Sequence, residues 1–318
     1  MKIVFLDSDT LGNVSFSPIE NTGDLVLYPR STPEQAIERV RDCEVLIVNK
    51  IIVDKRLIDS APKLKLICEA ATGVNNIDVD YAESKGIRVK NAAGYSTESV
   101  AQITFMHILN LVSHASYYDR RVKSGEYYKN GLFADMSWPF FELKGKRLGI
   151  IAMGNIGQRV AKIATAFGME VAYYSTSGTS HCKEYPSLPL DELLKISDIV
   201  TIHAPFNEKT KGLITLKELR LMKPTAYIVN MGRGGIINET DLVTALHEET
   251  IAGAALDVYA KEPLPPEHPY MQFKDYTDDK GRCIKEKLLL TPHIAWTSDE
   301  ALESLVSKIA ENIAGFKE

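Results

Sequence analysis

Three stretches late in the chain each carry an ionisable group suited to acid–base or anion-binding chemistry. They are Asn230-Met231-Gly232-Arg233-Gly234-Gly235, Leu256-Asp257-Val258-Tyr259-Ala260-Lys261-Glu262-Pro263 and Thr291-Pro292-His293-Ile294-Ala295-Trp296. Each follows a short apolar run that reads as a strand. A planar guanidinium such as Arg233 can grip carboxylate oxygens in pairs and polarise a neighbouring carbonyl. The imidazole of His293 can give a proton to a developing alkoxide near neutral pH. Glu262 could accept a hydrogen bond from the other ring nitrogen and so fix the tautomer. With a hydride donor nearby, the three groups suit reduction of a 2-keto acid. Taken singly, each has a plainer reading. Glu262 is a solvated loop carboxylate, Arg233 a surface cation and His293 a satisfied core histidine. Their shared placement at the strand ends of one sheet favours the chemical reading.

The site for a hydride donor lies upstream, in residues 147–175, RLGIIAMGNIGQRVAKIATAFGMEVAYYS. An apolar run, Leu148 to Met153, meets Gly154 and Gly157. Helical spacing follows (Val160, Ile163, Ala164, Phe167), then a stop at Gly168 and a second apolar run, Val171 to Tyr174. Strand, tight turn, helix and strand make a βαβ unit, the setting in which a glycine motif gains meaning beyond a plain structural turn. Unpaired N–H groups and the helix dipole at such a turn attract a pyrophosphate. Gly154 lets the backbone approach the phosphates, and Gly157 lets the helix pack on the strand. Ala152 replaces the first glycine of G-x-G-x-x-G, which a negative φ would tolerate. Ser175 stands where an acidic residue normally grips the adenosine ribose. A 2′-phosphate is then not repelled, and no Arg within Ser175–Lys183 grips it, although His181 and Lys183 lie there. The cofactor is therefore NAD or NADP.

The composition sets the frame. With 318 residues, 45% of them hydrophobic and 25% charged, the chain reads as a soluble protein of two domains. A net charge of −5 argues against a nucleic-acid or acidic-membrane surface. Cys43, Cys68, Cys182 and Cys283 are scattered without metal spacing, so no metal is expected, and the thiols read as reduced in a cytoplasmic protein. The opening MKIVFLDSDT is too short an apolar run for a signal peptide and reads as a strand. No stretch approaches a membrane span.

The elements that must position these groups alternate. Strands are expected at Lys2–Leu6, Val45–Val48, Leu64–Ala70 and Ile87–Lys90, with helices at Thr32–Arg41, Asp54–Ser60 and Asp80–Lys85. Such alternation implies a parallel sheet covered on both faces. Its strands run into polar loops at Asn49-Lys50, at residues 71–76 and at residues 91–95. A long helix, Thr97–Val112, with Thr97 as its cap, leads out of this sheet. Tyr117–Phe141 reads as an irregular aromatic strap. The second sheet starts at Lys146, and a final helix, Ser298–Ile313, returns to the first domain. The expected architecture is α/β, with two doubly wound parallel-sheet, Rossmann-like domains. A cofactor domain (100–293) is inserted into a substrate domain (1–99 plus 294–318).

The set "GNIG", "HAPFNEKTKGLI", "NMGRGGIIN", "ALDVYAKEP" and "TPHIAW", in that order, resembles the D-isomer-specific 2-hydroxyacid dehydrogenases over nearly the whole length. "VNKIIVDKRLIDSAPKLKLICEAATGVNNID" followed by "AGYSTESVAQ" is most similar to glycerate dehydrogenase, also called hydroxypyruvate reductase. The resemblance implies Arg233, Glu262 and His293 as the catalytic set and Asp257 at the nicotinamide amide. It places Gly154, Asn155, Ile156, Gly157, Ser175, Ala204, Pro205, Met231 and Gly232 along the cofactor, with Val100 near the nicotinamide. It sets the backbone at Thr72 and Gly73 on the substrate carboxylate, with Asn49 and Lys50 facing the substrate. It also implies a homodimer, with Thr97–Tyr118 and the aromatic strap as candidate contacts.

The implied reaction is hydride transfer from NAD(P)H to C2 of hydroxypyruvate or glyoxylate, in a cleft between domains whose closure excludes water. D-lactate or another 2-hydroxy acid is the rival substrate. A nucleotide-sensing, co-repressor-like binding protein is the rival class, and neither the peptide groove nor the long tail that it would need is visible in the sequence. The loop Pro265–Glu286 is longer than the family's usual link. Its charged tip is expected to be solvated and without a catalytic role.

Overall fold

The structure, a computed structural model, describes residues 1–129, 131–179, 182–271 and 284–317. The chain divides into two compact units, Met1–Ser99 with Trp296–Glu318, and Val100–Ala295.

The first unit runs β1 (Lys2–Phe5), α1 (Ser17–Glu20), β2 (Asp24–Leu27), α2 (Pro33–Arg39), β3 (Val45–Val48), α3 (Lys55–Asp59), β4 (Leu66–Glu69), α4 (Val79–Ser84) and β5 (Arg88–Asn91). Local chemistry starts the helices. Thr32 and Gln35 form a reciprocal capping box on α2, and the Asp54 and Asp78 carboxylates accept the Leu57 and Tyr81 N–H groups at the starts of α3 and α4. The strands form a parallel sheet in the order β2-β1-β3-β4-β5. Alternate side chains go to opposite faces. Val4, Leu46 and Ile67 pack with Ala36, Leu57 and Ala82 on one face. Ile3, Phe5, Val45 and Leu66 pack on the other, against Ile19 and the last helix. That helix, Asp299–Lys317, buries Leu305, Val306, Ile309 and Ile313 completely or nearly so. Each such side chain stabilises by about 1.5–3 kcal/mol. β2 and α1 were not expected; β2 is a four-residue edge strand that buries none of its residues, although Leu25, Val26 and Leu27 are apolar.

α5 (Thr97–Ser113) leads from the first unit into the second, with Thr97 as its first residue rather than its cap. The expected strap is partly helical, as α6 (Ala115–Lys123) and α7 (Glu126–Lys129). Neither helix buries a residue, so no apolar stripe marked them. Then follow β6 (Arg147–Ile151), α8 (Asn155–Ala166), β7 (Glu170–Tyr174), α9 (Leu190–Ile196), β8 (Ile199–Ile202), α10 (Leu216–Leu219), β9 (Tyr227–Asn230), α11 (Glu239–His247), β10 (Gly253–Leu256) and β11 (Leu288–Leu290). They build a six-stranded parallel sheet in the order β11-β10-β9-β8-β6-β7. Chain direction along this sheet reverses between β6 and β8, and such a switch point opens a crevice at the carboxyl ends of the strands. In the first unit the reversal falls between β1 and β3.

Candidate active site

The crevice beside β6 begins with a correction. Ala152 has φ of +75°, in the left-handed region, not the negative φ expected of a tolerated alanine. Its N–H donates to the Tyr174 carbonyl at 2.9 Å, which ties the turn to β7. The strand-to-helix reversal dictates this conformation whichever residue stands there. A Cβ on Gly157 would lie 2.4 Å from the Ala152 carbonyl oxygen, so only glycine allows α8 this close to β6. A Cβ on Gly154 would meet nothing within 4 Å, and α8 starts there with no side-chain cap and no acidic residue in its first turn. On the neighbouring loops, a Cβ on Gly232 would stand 2.8 Å from the Ala204 carbonyl oxygen, so Met231-Gly232 and Ala204-Pro205 are in backbone contact. An open, uncapped helix start at a switch point fits the pyrophosphate of a dinucleotide. Ser175 Oγ donates to the Thr179 carbonyl at 2.7 Å and places no carboxylate at the ribose position. His181 lies outside the described residues.

The adjacent strands β9, β10 and β11 deliver the ionisable groups. Asn230, 2% exposed, fixes the first turn, its Oδ1 accepting the Gly232 N–H at 3.0 Å and its Nδ2 donating to the Arg233 carbonyl at 3.0 Å. The Arg233 guanidinium donates from Nη1 to the Gly232 carbonyl at 2.8 Å, and no carboxylate among the described residues pairs with it. A Cβ on Gly234 would fall 1.8 Å from the Tyr259 carbonyl carbon. The Arg233 loop is thus pressed onto the Tyr259–Glu262 loop, backbone on backbone. Glu262 Oε1 accepts the Tyr259 N–H at 2.9 Å, and Oε2 lies 2.6 Å from His293 Nδ1. An ionised carboxylate can only accept, so Nδ1 carries the hydrogen. Nε2 has no partner among the described residues.

The turn bearing His293 is held at several points. His293 itself has φ of +56°. Tyr259 Oη donates to the Thr291 carbonyl at 2.7 Å, and the His293 N–H donates to the same oxygen at 3.0 Å. Asp257, 1% exposed, accepts Thr291 Oγ1 (2.6 Å) and the Ile294 N–H (2.9 Å) on Oδ1, and the Ala295 N–H (2.8 Å) on Oδ2. Burial pushes its carboxyl up, while these three bonds and nearby His293 pull it down. The residue expected at a nicotinamide amide therefore also anchors the turn. Behind it, Glu239 Oε1 accepts the Ala260 N–H at 2.8 Å, and Oε2 sits 2.8 Å from His268 Nε2. His268 and Tyr270 are buried, so the stem of the long loop braces the Glu262 loop. The charged tip, 272–283, lies outside the described residues.

In the first unit the switch-point crevice is filled by Asp7. Its carboxylate, 4% exposed, accepts the N–H groups of Asn49 (3.0 Å), Lys50 (2.6 Å) and Ile51 (3.2 Å) and so fixes the Asn49-Lys50 turn. The Asn49 side chain is buried, and its Nδ2 has no partner among the described residues. Glu69, at the end of β4, is 1% exposed and accepts from Asn76 Nδ2 at 3.0 Å. Burial pushes its carboxyl up to about 8, so it stays protonated at neutral pH. Thr72 and Gly73 follow in the next loop, where the Thr72 carbonyl accepts Asn91 Nδ2 at 2.6 Å. Asp7 and Glu69 were missed in the sequence. Their signal was there, a carboxylate closing an apolar strand in each of "KIVFLD" and "LKLICE".

Among the described residues no cluster of His, Cys, Asp or Glu could hold a metal, and no helix is long and apolar enough to cross a membrane. Residues 105–295 match the family model described as D-isomer specific 2-hydroxyacid dehydrogenase, NAD binding domain. A hydroxypyruvate reductase of Blautia hydrogenotrophica is 32% identical over 326 residues, covering 99% of this chain and 97% of its own. A glycerate dehydrogenase of Methylorubrum extorquens is 31% identical over 321 residues, covering 99% and 96%. Among solved structures, an acyclic imino acid reductase in complex with NADPH and D-arginine superimposes with a TM-score of 0.85 at 29% identity, over 100% of this chain and 97% of its own.

Proposed function

The chain belongs to the D-isomer-specific 2-hydroxyacid dehydrogenases, close to glycerate dehydrogenase, and from that premise we propose that it reduces hydroxypyruvate or glyoxylate to D-glycerate or glycolate. It is an NAD(P)-dependent oxidoreductase of 2-hydroxy acids. The observation that carries the proposed chemistry is the Glu262–His293 contact of 2.6 Å, made from a loop against which the Arg233 loop is pressed at Gly234.

When bound, NAD(P)H supplies a hydride to C2. Arg233 grips the substrate carboxylate and polarises the carbonyl. His293 Nε2 gives its proton to the carbonyl oxygen as negative charge develops there, so hydride and proton together complete the hydroxyl. Glu262 orients the ring by accepting from Nδ1, so the proton that is given up leaves from Nε2. From the first unit, Asn49, Lys50 and the backbone at Thr72 and Gly73 serve substrate recognition. This is supported by the way Asp7 fixes the Asn49-Lys50 turn.

The start of α8 takes the pyrophosphate, and Ser175 faces the adenosine ribose, with Val100 and Asp257 toward the nicotinamide. NADP is accepted as well as NAD, because no carboxylate stands at Ser175, and Ser175→Asp shifts preference toward NAD. The chain works as a homodimer. Phe133 is 98% and Met136 80% exposed, and Met106, Leu109 and Phe140 are exposed too, an apolar surface that a second copy would cover. Unpaired thiols at Cys43 and Cys68 suit the cytoplasm.

The test is kcat/KM for hydroxypyruvate, glyoxylate, pyruvate and bulkier 2-keto acids with NADH and NADPH. Hydroxypyruvate or glyoxylate should lead. A clear preference for pyruvate would move the chain to the lactate dehydrogenases, and no turnover at all would overturn the reading.

A further inference from the structure

His107 lies on α5, 184 residues before Thr291, yet its Nε2 is 3.0 Å from Thr291 Oγ1. The Thr291 hydroxyl has one hydrogen, and it goes to Asp257 Oδ1 at 2.6 Å. The bond from His107 must then be donated by Nε2–H, with Nδ1 bare. Nδ1 is buried with no partner among the described residues, and the whole side chain is 1% exposed. A charged ring would place a second N–H in that unpartnered position. Burial accordingly pulls the ring down to about 4, and it is neutral at working pH. His107 is a fixed donor rather than a titrating group.

We propose that His107 is a positioning residue for the proton donor. It holds the Thr291 hydroxyl on Asp257, and Asp257 holds the N–H groups of Ile294 and Ala295, so the left-handed backbone of His293 is tied down before and after it. The inference rests on the reading of His293 as proton donor. It also explains why the donor turn and the hydride site are set together. Val100, the residue proposed beside the nicotinamide, lies two turns earlier on the same face of α5, and Thr104 between them donates to its carbonyl at 2.7 Å. One helix thus fixes the neighbour of the hydride donor and, through Thr291, the turn that delivers the proton. A conformation as unfavourable as left-handed histidine persists only where its surroundings over-determine it, and this chain of bonds is one such constraint.

The experiment compares the full chain with His107→Leu and His107→Gln, whose side-chain amide can still donate to Thr291. Two quantities are read. One is hydrogen exchange at the Ile294 and Ala295 amides with no cofactor added. The other is kcat together with KM for both substrates. His107→Leu should speed exchange and lower kcat, each by about tenfold, with KM for the cofactor nearly unchanged. His107→Gln should restore both to within about threefold. If His107→Leu does not fold, Thr291→Val against Thr291→Ser makes the same comparison one bond further on. Unchanged exchange, unchanged kcat, or a glutamine variant as impaired as the leucine variant would overturn the proposal. Exchange does not depend on turnover, so an inactive wild type would sink the reductase reading while the exchange result still decides the role of His107.

Discussion

Glu262 is held from two sides, with one carboxylate oxygen 2.6 Å from His293 Nδ1 and the other 2.9 Å from the Tyr259 amide. It cannot turn away without breaking a backbone bond. Glu262→Gln keeps the shape, but an amide has one acceptor oxygen and can keep only one of these two bonds. We expect kcat to fall by roughly ten- to a hundredfold, with KM for the cofactor little changed. Steady-state kinetics with hydroxypyruvate checks this, and wild-type turnover would mark Glu262 as a surface group.

Gly234 joins two of the three loops. An added Cβ would lie 1.8–2.3 Å from the backbone of Tyr259 and Ala260, and neither chain can yield as a flexible side chain would. Gly234→Ala must therefore displace Arg233 relative to Glu262. A shift of about 1 Å is enough to cost roughly a hundredfold in turnover. KM for the keto acid should rise as well, because the guanidinium moves with the loop. An alanine variant with normal constants would show that the two loops act independently.

Ala152 offers the opposite case, a residue that glycine should improve. Its φ of +75° costs a side-chain-bearing residue about 1–2 kcal/mol. Glycine relieves that strain but frees the unfolded chain by about 0.4–1 kcal/mol. Ala152→Gly should stabilise the protein by about 0.5–1 kcal/mol and raise its melting temperature by roughly 2 °C. A lower melting temperature would mean that the alanine methyl contributes packing worth more than the strain.

That position also shows where reading the sequence stops. The run Val45–Val48 is legible because a buried parallel strand is apolar throughout, and it appears with the expected bounds. The loops that carry Arg233, Glu262 and His293 are legible because each follows such a run. The sign of φ at Ala152 is not, since it is set by the reversal between β6 and α8 rather than by the residue. α6 was illegible for want of any buried stripe. The contact of His107 with Thr291 was out of reach for another reason. Nothing in either neighbourhood announces a partner 184 residues away.

Glu69 gives a pH prediction for stability. Burial raises its carboxyl from the ordinary 4.5 to about 8 in the folded chain. Between those values the folded state keeps a proton that the unfolded state has released. Stability therefore falls as pH rises from about 4.5 to about 8, by on the order of a few kcal/mol, and levels off above. Glu69→Gln cannot ionise and should lack that slope, so it should match the wild type near pH 5 and exceed it near pH 9. Melting curves across this range test the point. Parallel curves would mean that Glu69 ionises in place, with Lys50 balancing its charge.

The most direct test of the whole account is hydride transfer in His293→Ala, followed by rapid mixing of cofactor-loaded protein with hydroxypyruvate. With Nε2 gone, the proposed proton donor to the alkoxide is lost. The rate should fall by about a hundredfold to ten-thousandfold. The dissociation constant for NAD(P)H should stay within about threefold of the wild-type value, since the dinucleotide crevice lies at other strand ends. A variant that transfers hydride at nearly the wild-type rate would contradict the assignment of His293 as proton donor.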